Sequence, residues 1–199
     1  MSARPRHRSA IISAAARLFR RHGFAATGLA QIVEASGAPK GSLYHYFPAG
    51  KAEIGAAAVV AAGVTVTATL AALPDGQGPG DFLRDYSRRL ASWMRASGFS
   101  DGCPIATTVL EEAARDEAIA AAGLAAFNDW RGVIADRLAS AGLNDGNSRQ
   151  LALLAVSALE GALILARAER SDRPILAVGD TLGQIADSRS WSGSGSPAP

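Results

Sequence analysis

The stretch APKGSLYHYFPAGK, residues 38–51, sets Tyr44, His45, Tyr46 and Phe47 side by side between two lysines. Its reading decides the fold, because such a row serves as core, as a metal or catalytic cluster around His45, or as a surface that meets another molecule. Unrolled as a helix at about 100° per residue, the row divides. Leu43 and Phe47, at i and i+4, fall on one side, where they can pack against Ile12, Phe19, Ile32 and Val33. Gly41, Ser42 and His45 lie opposite. A glycine removes bulk where a backbone approaches a base edge, and a hydroxyl and an imidazole donate or accept hydrogen bonds there. Tyr44 and Tyr46 project to the flanks, within reach of phosphates on either wall of a major groove. Lys40 and Lys51, the only lysines in the chain, bracket the segment and suit phosphate neutralisation.

Working outward, residues 6–22 put Ile12, Ala15, Ala16 and Phe19 on one stripe, and Gly23 ends that helix. Thr27 suits the cap of a short helix reaching about Ala35. The SGAP turn at 36–39 follows, with Pro39 suited to the first turn of a third helix running to about Phe47. Two short helices joined by a glycine-containing turn and braced by a third make the helix-turn-helix plan.

Charge agrees with that plan. Residues 1–53 carry eight basic side chains against two acidic ones, a net of +6, and the remainder of the chain is −4. Arg4, Arg6 and Arg8 read as a basic arm. A basic module joined to a mildly acidic one implies a polyanion partner for the first alone. Cys103 is the single cysteine among 199 residues, which excludes an intrachain disulfide and fits a reducing compartment. One thiol builds no zinc site, and His7 and His22 lack ligand spacing to His45, so neither a metal nor any other cofactor is expected. A thiol enzyme using Cys103, which precedes Pro104 at a helix start, would need a histidine base that this region lacks. No apolar signal core follows the basic N-terminal residues, and no run is read as reaching the roughly 18 apolar residues of a membrane span. The expected location is the cytoplasm, without a membrane partner.

Beyond residue 50 the pattern stays helical: 51–73, 81–97, 104–114, 117–141, 147–170 and 174–187, with PDGQGPG at 74–80 the clearest loop. The SGSGSPAP tail is low in complexity. An all-α fold is expected, with a DNA-binding domain over 1–50, a larger helical domain for ligand binding and dimerisation over 51–188, and a disordered tail over 189–199.

Residues 11–54, IISAAARLFRRHGFAATGLAQIVEASGAPKGSLYHYFPAGKAEI, closely resemble the DNA-binding region of the TetR family of transcriptional regulators. The shared features are the LF…HGF…T first helix and the G…KGSLYHYF…K segment. The extra residue in FPAGK, together with DGCPIATTVLEEA at 101–113, looks like the LmrA/YxaF branch of multidrug-responsive repressors. Ala38 and Pro39 replace the more usual valine and serine. The resemblance implies a homodimer, an operator in double-stranded DNA and a small-molecule effector that releases it. Carried over by matched position, it gives base-reading roles to Lys40, Gly41, Ser42 and His45, and phosphate roles to Thr27, Tyr44, Tyr46 and Lys51.

In the larger domain, Ile119, Gly123, Phe127, Trp130, Ile134 and Leu138 form one stripe of the 117–141 helix, which is core by default. With Trp93, Met94, Phe99, Cys103 and Thr107, the Phe127 and Trp130 part of it could also line an apolar effector cavity. LALLAVSALEGALILA at 151–166 is apolar nearly all round and needs cover on both sides. A partner subunit, meeting it and 174–187, would supply the second cover. The expected function is a ligand-responsive DNA-binding repressor, not an enzyme. A structural or partner-binding dimer that has lost DNA binding is the remaining alternative.

Overall fold

Alanine and leucine at helical spacing, punctuated by glycine and proline, favour helix almost everywhere in this chain. The computed structural model describes residues 3–74 and 78–188. Their regular structure is α1 (Ala3–His22), α2 (Leu29–Ser36), α3 (Lys40–Tyr46), α4 (Lys51–Ala71), α5 (Pro79–Ala96), α6 (Pro104–Glu112), α7 (Glu117–Ser140), α8 (Asp145–Glu169) and α9 (Arg173–Asp187). The all-α expectation holds, and every expected helix is present. The expected tail at 189–199, positions 75–77 of the loop and the side chain of Arg4 lie outside the described residues.

Three local readings change. The helix read over 6–22 starts three residues earlier, since α1 begins at Ala3 and takes Arg6 and Arg8 of the basic arm into its first turns. Thr27 does not cap α2. That place belongs to Gly28, whose N–H donates to the Gln31 Oε1 at 2.7 Å. Pro39 is the residue before α3, and the helix starts one position later than read. The apolar runs also need correcting. Residues 54–73 carry no charge, and both α4 and α8 are long and apolar enough to cross a membrane by length and composition. Core helices pass the same test, and both of these bury one side in the protein.

The described residues fall into two compact units. The first, within Met1–Thr65 and Gly102–Phe127, holds α1 to α3, α6 and the N-terminal parts of α4 and α7. Its core joins Ile11, Ile12, Ala15 and Phe19 of α1 with Phe24, Ile32, Leu43, Phe47, Ile54 and Ile119. The second unit, within Val66–Asp101 and Asn128–Pro199, is built on α5, α8 and α9. There α5 and α9 run antiparallel. Asp187, at the end of α9, accepts from the Gly80 N–H at 2.9 Å and pairs with Arg84 at 2.9 Å. Arg95, at the far end of α5, pairs with Asp172 before α9. The carboxylate at the α5 N-terminus also suits the helix dipole. A methyl added at Gly179 would collide with Ser87 and one at Gly183 with Arg84, so glycine at i and i+4 sets how closely these helices approach.

Trp130, Ile134 and Leu138 of α7 are buried, with the Tyr86 and Trp130 rings edge to face at 6.2 Å between centroids. Asn144 caps α8, its side chain accepting from the Asn147 N–H at 2.9 Å. Along α8, Leu151, Ala155, Leu159, Ala162 and Ala166 face the core. Leu153, Leu154, Ile164 and Leu165 on its other side are 44–65% exposed.

Candidate nucleic-acid interface

The site begins at the end of α1, where the chain must turn sharply before α2. Gly23 supplies the turn with φ 87°, left-handed backbone that side chains other than glycine rarely adopt. Its N–H donates to the Phe19 carbonyl at 2.8 Å, closing the helix. Thr27 is buried, and its hydroxyl donates to the Gly23 carbonyl at 2.7 Å, which locks the far side of the turn. Between α2 and α3, Gly37 takes φ 64° and the Ser36 hydroxyl accepts from the Ala38 N–H at 3.2 Å. Buried Ala38 leaves no room for slack there. Arg17 of α1 reaches the Ala35 carbonyl at 3.4 Å, tying the brace to the end of α2.

On α3 the wheel division is visible in the burial. Leu43 and Phe47 are buried, and Arg8 lies over the Phe47 ring at 5.4 Å. Lys40, Gly41, Tyr44 and His45 are exposed, Tyr44 to 65%, while Ser42 and Tyr46 are half-buried. His45 and Tyr46 meet edge to face at 4.9 Å between centroids, which restrains both rings. A methyl added at Gly41 would meet nothing within 4 Å. The fold therefore does not require glycine at this position.

The extra residue of FPAGK is accommodated as a turn. The Gly50 N–H donates to the Phe47 carbonyl at 2.9 Å and the Ala49 N–H to Glu53 Oε2 at 3.1 Å. This delivers Lys51 as the first residue of α4. Its ammonium donates to the Ala25 carbonyl at 3.2 Å and sits over the Phe24 ring at 4.4 Å. Desolvation lowers the Lys51 pKa, with the carboxylates of Glu112 and Glu111 acting the other way. An ammonium has three N–H donors, so the bond to Ala25 leaves others for an external anion. Among the described residues, no three His, Cys, Asp or Glu side chains gather as a metal site.

The residues read as effector-lining divide between the units. Cys103, Thr107 and Phe127 belong to the first; Trp93, Met94, Phe99 and Trp130 belong to the second. Met94 and Trp130 are buried, and Trp93 is partly exposed. Phe99 has φ 60° and its N–H donates to the Met94 carbonyl at 2.8 Å, ending α5. The Thr107 hydroxyl donates to the Cys103 carbonyl at 2.9 Å and lies 3.5 Å from the Phe19 carbonyl of α1. Glu111 escaped the sequence reading altogether: its Oε2 accepts from the Ala25 N–H at 2.5 Å.

Residues 11–58 match the family model for bacterial regulatory proteins of the tetR family, and residues 79–181 match the C-terminal domain of LmrA/YxaF-like transcriptional regulators. The chain belongs to the TetR family, in its LmrA/YxaF-like branch. This regulator is 32% identical over 183 residues to the uncharacterised HTH-type transcriptional regulator YxaF of Bacillus subtilis (strain 168), spanning 92% of this chain and 96% of that one. It is 36% identical over 177 residues to the uncharacterised HTH-type regulator Rv0196 of Mycobacterium tuberculosis (strain ATCC 25618 / H37Rv), covering 86% and 88%. Among solved structures, a TetR regulator of Chloroflexus aurantiacus J-10-FL superposes with a TM-score of 0.78 at 25% identity, covering 94% of this chain and 98% of that one. It is a DNA-binding, helix-turn-helix transcriptional regulator.

Proposed function

We propose that this regulator is a homodimeric repressor, released from its operator by a small apolar effector, and that it works in the cytoplasm. The observation that carries the DNA half is the outer face of α3, where exposed Lys40, Gly41, Tyr44 and His45 surround a position with free space for a closer approach. Gly41, Ser42 and His45 meet base edges, with Lys40 joining them from the helix start. Tyr44, Tyr46 and Lys51 hold phosphates. Thr27, its hydroxyl turned inward, serves the phosphate contact by holding the turn that leads into α2.

The dimer half is supported by α8, whose four large exposed apolar side chains flank Gly161. A methyl at Gly161 would meet nothing within 4 Å, so a second helix has room to approach there. Covering such a face removes apolar surface from water, worth about 25 cal/mol per Å². The DNA-reading part is residues 1–50 and the effector and dimer part residues 51–188. An apolar effector acts by favouring a conformation whose two α3 helices no longer match the groove spacing.

Sequencing the genomic fragments that the purified protein retains gives the operator. Deleting the gene should then raise transcription of the flanking genes. Falling transcription would make the protein an activator. An operator complex that no member of a library of small apolar compounds dissociates would contradict the effector reading.

A further inference from the structure

The DGCPIATTVLEEA segment, residues 101–113, contributes neither to the exposed face of α3 nor to that of α8, yet it makes a continuous seam with the end of α1. Gly102 donates its N–H to the Arg20 carbonyl at 2.8 Å, one of the terminal carbonyls that α1 cannot satisfy internally. Thr107 brings its hydroxyl to the Phe19 carbonyl, and Glu111 accepts the Ala25 N–H. Thr107 and Glu111 stand four residues apart on one face of α6, and Cys103, four residues before Thr107, caps its start. A methyl at Gly23 would come within 2.5 Å of Glu111 Oε1, so that glycine serves the close approach of the carboxylate as well as the turn.

Ala25 lies outside any helix, between α1 and α2, with no ladder partner for its peptide groups. Both are held from other elements: the N–H by Glu111 of α6, the carbonyl by Lys51 of α4. A hydrogen bond donated to an ionised carboxylate is about twice as strong as a neutral one. The grip sits in the loop that joins the bracing helix to the two helices of the DNA-reading pair.

We propose that Glu111 is a positioning residue for DNA binding: from α6 it fixes the Ala25 turn and thereby the placement of α2 and α3. The proposal rests on the DNA-binding reading of α3 and names a residue that never touches DNA. Its charge and its geometry act in opposite senses. A carboxylate near a basic interface repels phosphates, whereas its hydrogen bond keeps the interface in shape. Removing it weakens binding only when the geometric role dominates.

The test uses the full-length protein, Glu111→Ala and Glu111→Gln. Its two readouts are hydrogen exchange at the Ala25 amide and affinity for one duplex selected from genomic fragments by the unmodified protein. With Glu111→Ala, exchange at Ala25 should rise about tenfold and affinity fall about tenfold, while the dependence on salt stays unchanged because no phosphate contact is lost. Glu111→Gln keeps an acceptor oxygen and should fall between that variant and the original. Both variants binding DNA more tightly by the same factor would show that the carboxylate acts through charge alone and would overturn the proposal. Unchanged exchange at Ala25 would overturn it equally. Exchange is read without DNA, so failure to select any duplex would strike the DNA reading and leave the grip on Ala25 to be decided separately.

Discussion

The outer faces of α3 and α8 are both left uncovered by the chain's own cores, and they differ in every chemical respect. On α3 the uncovered positions are Lys40, Gly41, Tyr44 and His45, polar or absent side chains on a basic segment. On α8 they include Leu153, Leu154, Ile164 and Leu165. Exposure alone names no partner. What does is the solvent each surface prefers: phosphate oxygens and base edges for the first, a second apolar surface for the second. Each helix also has an inner face that holds it in place, so the two roles of one helix can be broken separately.

Cutting the anchor of α3 should have the largest effect. Phe47 is fully buried among Leu43, Phe19 and Ile54, and Phe47→Ala should cost about 3–5 kcal/mol of unfolding free energy, measured by denaturant titration. Loss below 1 kcal/mol would mean that Phe47 is not the anchor. Next comes α8. The Leu154→Arg/Leu165→Arg double variant places two charges on the uncovered face and none in the core. It should sediment as a monomer and bind the operator at least about a hundredfold more weakly, since one half-site remains. A dimer that survives would move the interface elsewhere.

The subtlest change sharpens the comparison most. Gly41→Ala adds a methyl that meets nothing in the chain and should raise stability by about 0.5–1 kcal/mol, because alanine is the better helix former. Affinity for the operator should nonetheless fall about tenfold, the scale of one lost base contact. Stability and binding moving in opposite directions is a signature that a merely structural glycine would not give.

Much of this was legible in the sequence because it is local. Helix period, the SGAP turn and the i, i+4 pairing of Leu43 with Phe47 all depend on neighbours within a few positions. The misreadings share another cause. Thr27 has the right chemistry for a cap, but its hydroxyl found the Gly23 carbonyl four residues back. The start of α1 lies three residues before the position that the pattern suggests, since arginines before an apolar stripe look the same whether or not the helix has begun. Glu111 was invisible because its partner Ala25 lies 86 residues away and offers only a backbone N–H, which leaves no trace in side-chain pattern. The closeness of α5 to α9 was hidden likewise, since Gly179 and Gly183 read as weak helix formers until Ser87 and Arg84 are seen beside them.

The central claim is that two copies of the exposed α3 face enter the DNA together. Hydroxyl-radical and major-groove methylation footprinting of a selected operator duplex tests it most directly. The expected pattern is two related half-sites with protected major grooves whose centres lie about 34 Å apart, or a whole multiple of that, on one side of the duplex. A single protected patch, or protection confined to the minor groove, would contradict it.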